Sequence, residues 1–201
     1  MMIGITGGIG AGKSVVSEIL RCKGYFVYDC DSEAKRLMVE NQSLLSEIIG
    51  CFGKEILLAD GLLDRKRLAR EVFGDSRRRE WLNALVHAAV RDDLAEKCLD
   101  SGDSLFFVES AILKTSGLDR MCDMIWVVRA PEGLRIARAC SRDDLCREDI
   151  EKRIEAQAGE FTDFAGDAEI FEIDNSGRSS LLSQIENLFD KTKIKKICLE
   201  K

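Results

Sequence analysis

The segment Met2-Ile3-Gly4-Ile5-Thr6-Gly7-Gly8-Ile9-Gly10-Ala11-Gly12-Lys13-Ser14-Val15-Val16 decides the fold. Met2–Thr6 is a short, isoleucine-bearing apolar run and reads as a strand. From Lys13 onward the apolar residues Val15, Val16, Ile19 and Leu20 fall at helical spacing. Between them, Gly7 to Ser14 fits G-x-x-x-x-G-K-[ST] in the strand–loop–helix context that the pattern requires. Glycines let backbone N–H groups turn inward around phosphate oxygens, and the helix that follows points its positive end at the same place. The candidate nucleotide cradle is therefore Gly8, Ile9, Gly10, Ala11, Gly12, Lys13, Ser14 and Val15. Lys13 is placed to reach the β- and γ-phosphates, and Ser14 to ligate Mg²⁺.

Outward from this loop, strand-like and helix-like segments alternate. Tyr25–Tyr28 reads as a second strand after Gly24, and Ser32–Glu40 and Leu44–Phe52 as helices. Asp64 can cap a helix running to Phe73, and Ser76–Ser101 is a long helix with Trp81, Leu82, Leu85, Val86 and Val90 on one side. Leu105–Val108 and Met124–Val128 are strands. Pro131 opens a helix at the position that tolerates proline, and Glu148–Ala158 is another helix. Ile170–Ile173 is the last strand, and Leu181 to Phe189 an amphipathic helix; the lysine-bearing end from Lys191 to Lys201 is expected to fray. This rhythm predicts an α/β fold of the P-loop NTPase type, with three layers built on a five-stranded parallel sheet. The core is expected over about 1–40 and 101–201, a helical acceptor-binding insertion over about 41–100, and a lid over about 138–168.

The chain has 201 residues, enough for one domain that buries about 70% of its unfolded surface. Acidic residues number 36 against 30 basic ones, so the net charge of −6 argues against a nucleic-acid or anionic-membrane partner. No apolar run approaches membrane-spanning length, and the opening lacks the basic region of a signal peptide. The 8 cysteines contain no C-x-x-C pair, which suits reduced thiols in a cytoplasmic protein rather than a disulfide framework.

A P-loop fits several activities. The guanine-reading N-K-x-D of GTPases is absent, and a chain of this length with a helical insertion suits a small-molecule kinase. Such an enzyme needs a carboxylate near the acceptor hydroxyl and an arginine-bearing lid. Asp29 and Asp31 follow the second strand, where ligands gather in doubly wound sheets. Glu109 ends the third strand and can hold Mg²⁺ through water. Arg135, Arg138, Arg142 and Arg147 lie where a lid would be. Trp81, Trp126 and His87 suit structural positions. The open alternatives are another P-loop small-molecule or nucleoside kinase, and a nucleotide-dependent switch or regulatory ATPase.

Blocks spread from residue 3 to 177 resemble the dephospho-coenzyme A kinase family. Gly4–Ser14 is close to that family's opening, and Asp29-Cys30-Asp31-Ser32-Glu33-Ala34-Lys35 to its D-A-D-x-x-A-R block. Asp60-Gly61-Leu62-Leu63-Asp64-Arg65 followed by Val72-Phe73, Leu82-Asn83-Ala84-Leu85-Val86-His87, Arg138 with Arg142-Asp143, Gln157, and Ile173-Asp174-Asn175-Ser176-Gly177 resemble its later motifs. The resemblance implies ATP-dependent, Mg²⁺-dependent phosphorylation of the ribose 3′-hydroxyl of dephospho-coenzyme A, the last step of coenzyme A synthesis. It implies Asp31 as the base at the acceptor, and Arg65 and His87 at the acceptor site. It also implies Arg142, with Arg138, at the phosphates and Asn175 and Gly177 near the adenine. The implied partners are ATP and dephospho-coenzyme A, with the protein a monomer or weak homo-oligomer in the cytoplasm.

Three departures accompany the resemblance. Ala111-Ile112-Leu113-Lys114-Thr115 stands where the family usually shows P-L-L-[FY]-E, Ala88 follows His87 in place of a frequent proline, and Arg135 stands where a glutamine is common. Of the two aspartates, Asp31 is expected to be catalytic. An extended chain would send both side chains to the same side, but Asp31 lies further out, where the strand gives way to a helix.

Overall fold

The computed structural model describes residues 1–101, 105–143 and 146–191, so Cys198 and the tail beyond Lys191 lie outside the described residues. Five parallel strands form one sheet in the order β2-β3-β1-β4-β5: β1 (Met2–Thr6), β2 (Val27–Asp29), β3 (Phe106–Glu109), β4 (Met124–Arg129) and β5 (Glu169–Asp174). The three central strands are apolar almost throughout because both faces of the sheet are covered. On one face, Ile3, Ile5, Phe107, Trp126 and Val128 pack with Val16 and Leu20 of α1 (Lys13–Cys22) and with Ile185, Leu188 and Phe189 of α8 (Leu181–Lys191). Trp126 is fully buried, its ring 5.6 Å from Phe107 and 6.0 Å from Phe189. On the other face, Gly4 lies so near Leu113 and Cys122 that a Cβ would come within 2.8 and 2.9 Å of them. Burial, with Asp119 and Asp123 close by, pushes the Cys122 thiol up to about 12, so it serves as a core residue.

The chain divides into two compact units, Met1–Asp29 with Ser101–Lys201, and Cys30–Asp100. The sequence placed the insertion from about residue 41; the structure begins the helical unit at Cys30, because β2 passes into α2 (Cys30–Glu40) without a loop. This also corrects the extended path expected for Asp29 and Asp31. Asp29 is the last residue of β2, whereas Asp31 lies in the first turn of α2.

The helical unit continues through α3 (Gln42–Phe52), α4 (Arg65–Phe73) and α5 (Ser76–Ser101). Asn41 Oδ1 caps α3 at Leu44 N, and Asp64 Oδ1 caps α4 at Arg67 N, the side-chain chemistry expected at helix starts. The buried line of α5 is Leu82, Val86, Val90 and Leu94; Trp81, expected on that side, is partly exposed with its ring 6.0 Å from Phe52. The charged groups between α2 and α5 form a network. Arg36 bonds Glu33 at 2.7 Å, Glu40 at 2.9 Å and Asp93 at 2.6 Å, and Lys97 adds contacts to Glu33 at 2.7 Å and Asp93 at 3.4 Å. Burial works against the Glu33 charge, but hydrogen bonds from Lys97 and Arg36 hold its carboxyl below the ordinary range.

The network lies between a surface pair and a buried one in exposure, so Arg36→Met should destabilise the helical unit by about 2 kcal/mol, read by urea unfolding. A depressed carboxyl contributes stability that is complete above its ordinary value of 4.5 and is lost as pH falls through the lower folded value. Glu33→Gln should therefore lower stability at neutral pH and flatten its decline on acidification. Superimposable profiles for the variant and the parent would show that the network is energetically silent.

Candidate active site

In the order β2-β3-β1-β4-β5 the connections leave β1 and β3 towards opposite sides, which opens a crevice at the carboxyl ends of the central strands. Gly7 to Ser14 emerges there from β1. Gly10 and Gly12 have φ of +73° and +100°, the left-handed region that glycine enters without strain. Gly12 occupies the N-cap of α1 with no side-chain cap and no acidic residue in the first turn, so no side-chain oxygen caps the helix start and no carboxylate in that turn repels an anion.

Side chains hold the outward-facing carbonyls of the loop. Lys13 Nζ donates to Gly7 O at 2.9 Å, Arg135 Nε to Ile9 O at 3.0 Å, and Asn175 Nδ2 to Ala11 O at 2.8 Å. Ile9 N in turn donates to Gln157 Oε1 at 2.9 Å. Asn175 sits just past the end of β5, with its own N–H on Arg129 O at 2.7 Å. Its carbonyl accepts from Arg138 Nη2 at 3.2 Å, while Arg138 Nη1 is buried without a hydrogen-bond partner. A buried donor with no acceptor beside a phosphate loop fits an anionic ligand.

Glu109 and Asp29 end neighbouring strands in direct register, and Ile5, in register with Glu109, fixes both carboxylates on the face covered by α1. Burial pushes the Glu109 carboxyl up; the Ser17 hydroxyl, Lys13 and Arg21 pull it back, and the neighbouring Asp29 charge adds repulsion. Among the described residues no group of three or more His, Cys, Asp or Glu forms a metal cage. Mg²⁺ commonly uses one or two protein groups together with substrate phosphates and water, and the Ser14 hydroxyl with this carboxylate pair fits that requirement.

The lid candidates lie on α6 (Glu132–Asp143) and α7 (Arg147–Ala156). Ile136, Ala139 and Ile150 form a small core to which Ile9 of the P-loop also packs. Arg142 is exposed in the last turn of α6, and Gly177 is exposed with φ of +90°. Pro131 directly precedes α6, and its carbonyl accepts from Arg135 N at 3.0 Å. The departing loop after β3 is tied to the chain beyond α7. Lys114 Nζ donates to Gly159 O at 3.2 Å and Thr162 O at 2.9 Å, and Thr115 bonds the buried Glu160 carboxylate through both its N–H and its hydroxyl. Asp163-Phe164-Ala165-Gly166 and Asp174-Asn175-Ser176-Gly177 both fit the D-x-x-G letters of a GTPase switch; the first lies in this irregular stretch, and the second ends β5, where the Asp174 carboxylate accepts from the Ser176 N–H and hydroxyl.

The structure thus brings the cradle residues, Arg138 and Asn175 together in one unit. Asp31, Arg65 and His87 belong to the helical unit: Asp31 is exposed on α2, Arg65 is exposed as the first residue of α4, and His87 is half-buried on α5. The sequence attached no position-specific role to Arg135, and gave Gln157 only a lid resemblance. Neither identity announces a contact with a backbone group about 130–150 residues away, and no local pattern marks one.

A five-stranded parallel sheet with a P-loop at its central strand and arginine-bearing helices beyond β4 defines a P-loop kinase. Comparison with known proteins narrows the class. Residues 1–180 match the dephospho-CoA kinase family. The dephospho-CoA kinase of Shouchella clausii is 34% identical over 196 residues, covering 96% of this chain and 98% of that protein. Protein TT1252 of Thermus thermophilus superimposes with a TM-score of 0.78 at 33% identity, covering 95% of this chain and 97% of that one. The dephospho-CoA kinase of Campylobacter jejuni does so with a TM-score of 0.66 at 25% identity, covering 97% of each chain. The chain belongs to the dephospho-CoA kinase family.

A Cβ at Gly12 would strike the Asn175 amide in a backbone conformation that disfavours L residues by about 1–2 kcal/mol. Gly12→Ala should therefore displace Asn175 from Ala11 O and weaken ADP binding at least tenfold, read by titration calorimetry. Binding equal to the parent protein would show that the loop absorbs the methyl group without moving Asn175.

Proposed function

We propose that this chain transfers the γ-phosphoryl group of ATP to the ribose 3′-hydroxyl of dephospho-coenzyme A, giving coenzyme A and ADP with Mg²⁺. The observation that carries the nucleotide half of this reading is the cradle itself: Lys13 folded across the loop, an α1 N-terminus with no side-chain cap, and the orphaned Arg138 Nη1. Membership of the dephospho-CoA kinase family supports the acceptor.

In this reading the backbone N–H groups of Gly10, Gly12, Lys13 and Ser14 hold the phosphates, while the Ala11 and Val15 N–H groups, bonded to Gly8 O and Gly12 O, shape the loop around them. Lys13 moves from Gly7 O to a phosphate oxygen, an exchange of one acceptor for a charged one. Arg138 turns its unpartnered Nη1 to phosphate, and Arg142 supplies positive charge where negative charge accumulates during transfer. Asn175 and Gly177 border the base. Asp31 accepts the proton of the acceptor hydroxyl and orients its oxygen, while Arg65 and His87 hold the acceptor. When bound, Mg²⁺ supplies electrostatic neutralisation of the polyphosphate, and Ser14, Asp29 and Glu109 are the residues that would hold it. The reading places the reaction in the cytoplasm; all seven cysteines among the described residues are free thiols, and no helix among those residues is long and apolar enough to cross a membrane.

A coupled ADP-release assay across a panel of acceptors tests the proposal, with dephospho-coenzyme A expected to be strongly preferred over nucleosides, sugars and water. Turnover without any acceptor would point to an ATPase. A positioned base contributes typically 10²–10⁴-fold, so Asp31→Asn should lose kcat on that scale while ADP binding is kept. Near-normal kcat would assign the base elsewhere.

Glu109→Gln should raise the Mg²⁺ concentration needed for half-maximal rate. Because burial raises its pKa, a Glu109 that serves the ion is protonated and lost as pH falls through that raised value, so the parent's Mg²⁺ requirement should climb on mild acidification and the variant's should not. Parallel Mg²⁺ titrations at each pH would leave Glu109 a structural acid.

A further inference from the structure

Ile9 is the third residue of the eight from Gly7 to Ser14, and the structure holds all of it from outside the loop. Its side chain joins the small core of Ile136, Ala139 and Ile150. Its carbonyl accepts from Arg135 Nε at 3.0 Å, and its N–H donates to Gln157 Oε1 at 2.9 Å. The flanking glycines lie flat on the same arginine: a Cβ at Gly8 would collide with the Arg135 guanidinium, and one at Gly10 with the Arg135 carbonyl.

Arg135 is an unusual choice for such a place. It is half-buried, burial lowers its pKa with the Glu132 charge offsetting only part of that, and among the described residues no carboxylate lies within ion-pair distance of it. Desolvating an unpaired guanidinium is unfavourable, so something specific has to keep it there. The contact that does so uses Nε, the nitrogen bonded to Cδ. A glutamine carries its Nε2 on the same Cδ, the same number of bonds from the backbone. Methionine and lysine put a carbon at that position, and the lysine nitrogen follows one bond further out. A glutamine at this position would therefore keep a donor at the same point in space.

We propose that Arg135 is a positioning residue of the nucleotide site, acting through its Nε–H on Ile9 O: together with Gln157 it fixes both backbone polar groups of Ile9 and so pre-shapes the phosphate loop before nucleotide arrives. The inference rests on the reading of that loop as a nucleotide site. A loop held in its binding conformation loses less entropy when the phosphates enter, and the gain appears as affinity rather than as a faster chemical step. The Arg135 charge is incidental to this role.

The test compares the full-length protein with Arg135→Gln, Arg135→Met and Arg135→Lys. The probes are ADP affinity by titration calorimetry, the KM for ATP against kcat, and hydrogen exchange of the nucleotide-free loop peptide. The Met and Lys variants should weaken ADP binding about tenfold, the worth of one hydrogen bond from a charged donor, with kcat changed far less than KM. The Gln variant should stay within about threefold of the parent, the rescue that a donor role demands. Loop exchange should quicken in the Met and Lys variants and not in the Gln variant. Parent-like affinity in Arg135→Met would reduce Arg135 to packing, and equal losses in Arg135→Gln and Arg135→Met would assign the effect to charge; either result overturns the proposal. Should Arg135→Met fail to fold, Arg135→Lys decides, since it keeps the charge and has a carbon rather than a donor at the ε position. Failure of the parent protein to bind ADP would sink the nucleotide reading alone, and the exchange comparison would still decide whether Arg135 holds the loop.

Discussion

A loop that turns its N–H groups inward to meet phosphate leaves its carbonyl groups facing out, with no ladder to receive them, and that requirement organises the sheet-bearing unit. Each exposed carbonyl needs a donor from somewhere. Gly7 O takes the Lys13 ammonium, Gly8 O the Ala11 N–H, Ile9 O the Arg135 Nε–H and Ala11 O the Asn175 amide. Two of these donors come from distant elements, α6 and the end of β5. The positions of α6 and β5 are therefore part of the P-loop's own hydrogen bonding. Two kinds of donor result. Asn175 and Arg135 are neighbours that can remain when a ligand arrives, whereas the Lys13 ammonium has a better acceptor waiting in a phosphate oxygen. The same loop thus has fixed anchors and one exchangeable one.

This division explains what could be read from the sequence and what could not. Glycine, lysine and serine spacing encodes the inward side of the loop, because those residues are chosen for their own backbone conformation and chemistry. The strand before it and the helix after it follow from hydrophobic periodicity, and the helix read over Ser76–Ser101 matches α5 end to end. The outward side is encoded by residues about 130–170 positions away, and an arginine or glutamine carries no local sign of which carbonyl it will meet. The boundary of the helical unit was misplaced for a related reason. Apolar spacing locates the middle of an element, but β2 runs into α2 with no turn residue between them, so Cys30 gave no punctuation to read. Trp81 was drawn onto the buried line of α5 by its size, yet Leu82, Val86, Val90 and Leu94 fill that line and leave it partly exposed.

Electrostatics divides the carboxylates in a way that letters alone do not. Asp29 and Glu109 face each other across neighbouring strands, so the Asp29 charge adds to the burial that makes Glu109 costly to ionise, and the Ser17 hydroxyl, Lys13 and Arg21 relieve it. Lys13 is also the residue that leaves Gly7 O if phosphate takes it. The Glu33–Arg36–Asp93–Lys97 network is arranged the opposite way: acids and bases alternate, and the Glu33 carboxyl is held low. At Glu109 burial and a neighbouring acid oppose the charge, whereas the second cluster compensates its charges internally. A carboxyl pushed up by burial and a like charge is a feature of sites that receive a ligand, and internal compensation is a feature of structural networks.

The altered loop after β3 fits the same logic. Where family members usually carry a glutamate, this chain has Thr115, and the acidic group is missing from the loop itself. Glu160 reaches across from the segment after α7 and accepts from both the Thr115 N–H and its hydroxyl. Lys114 closes a second link by donating to Gly159 O and Thr162 O. Glu160 N bonds Gln157 O at 3.1 Å, so the turn fastened to this loop is the turn that presents Gln157 to Ile9. These contacts tie two loops together, and the backbone of the P-loop lies at the far end of that tie.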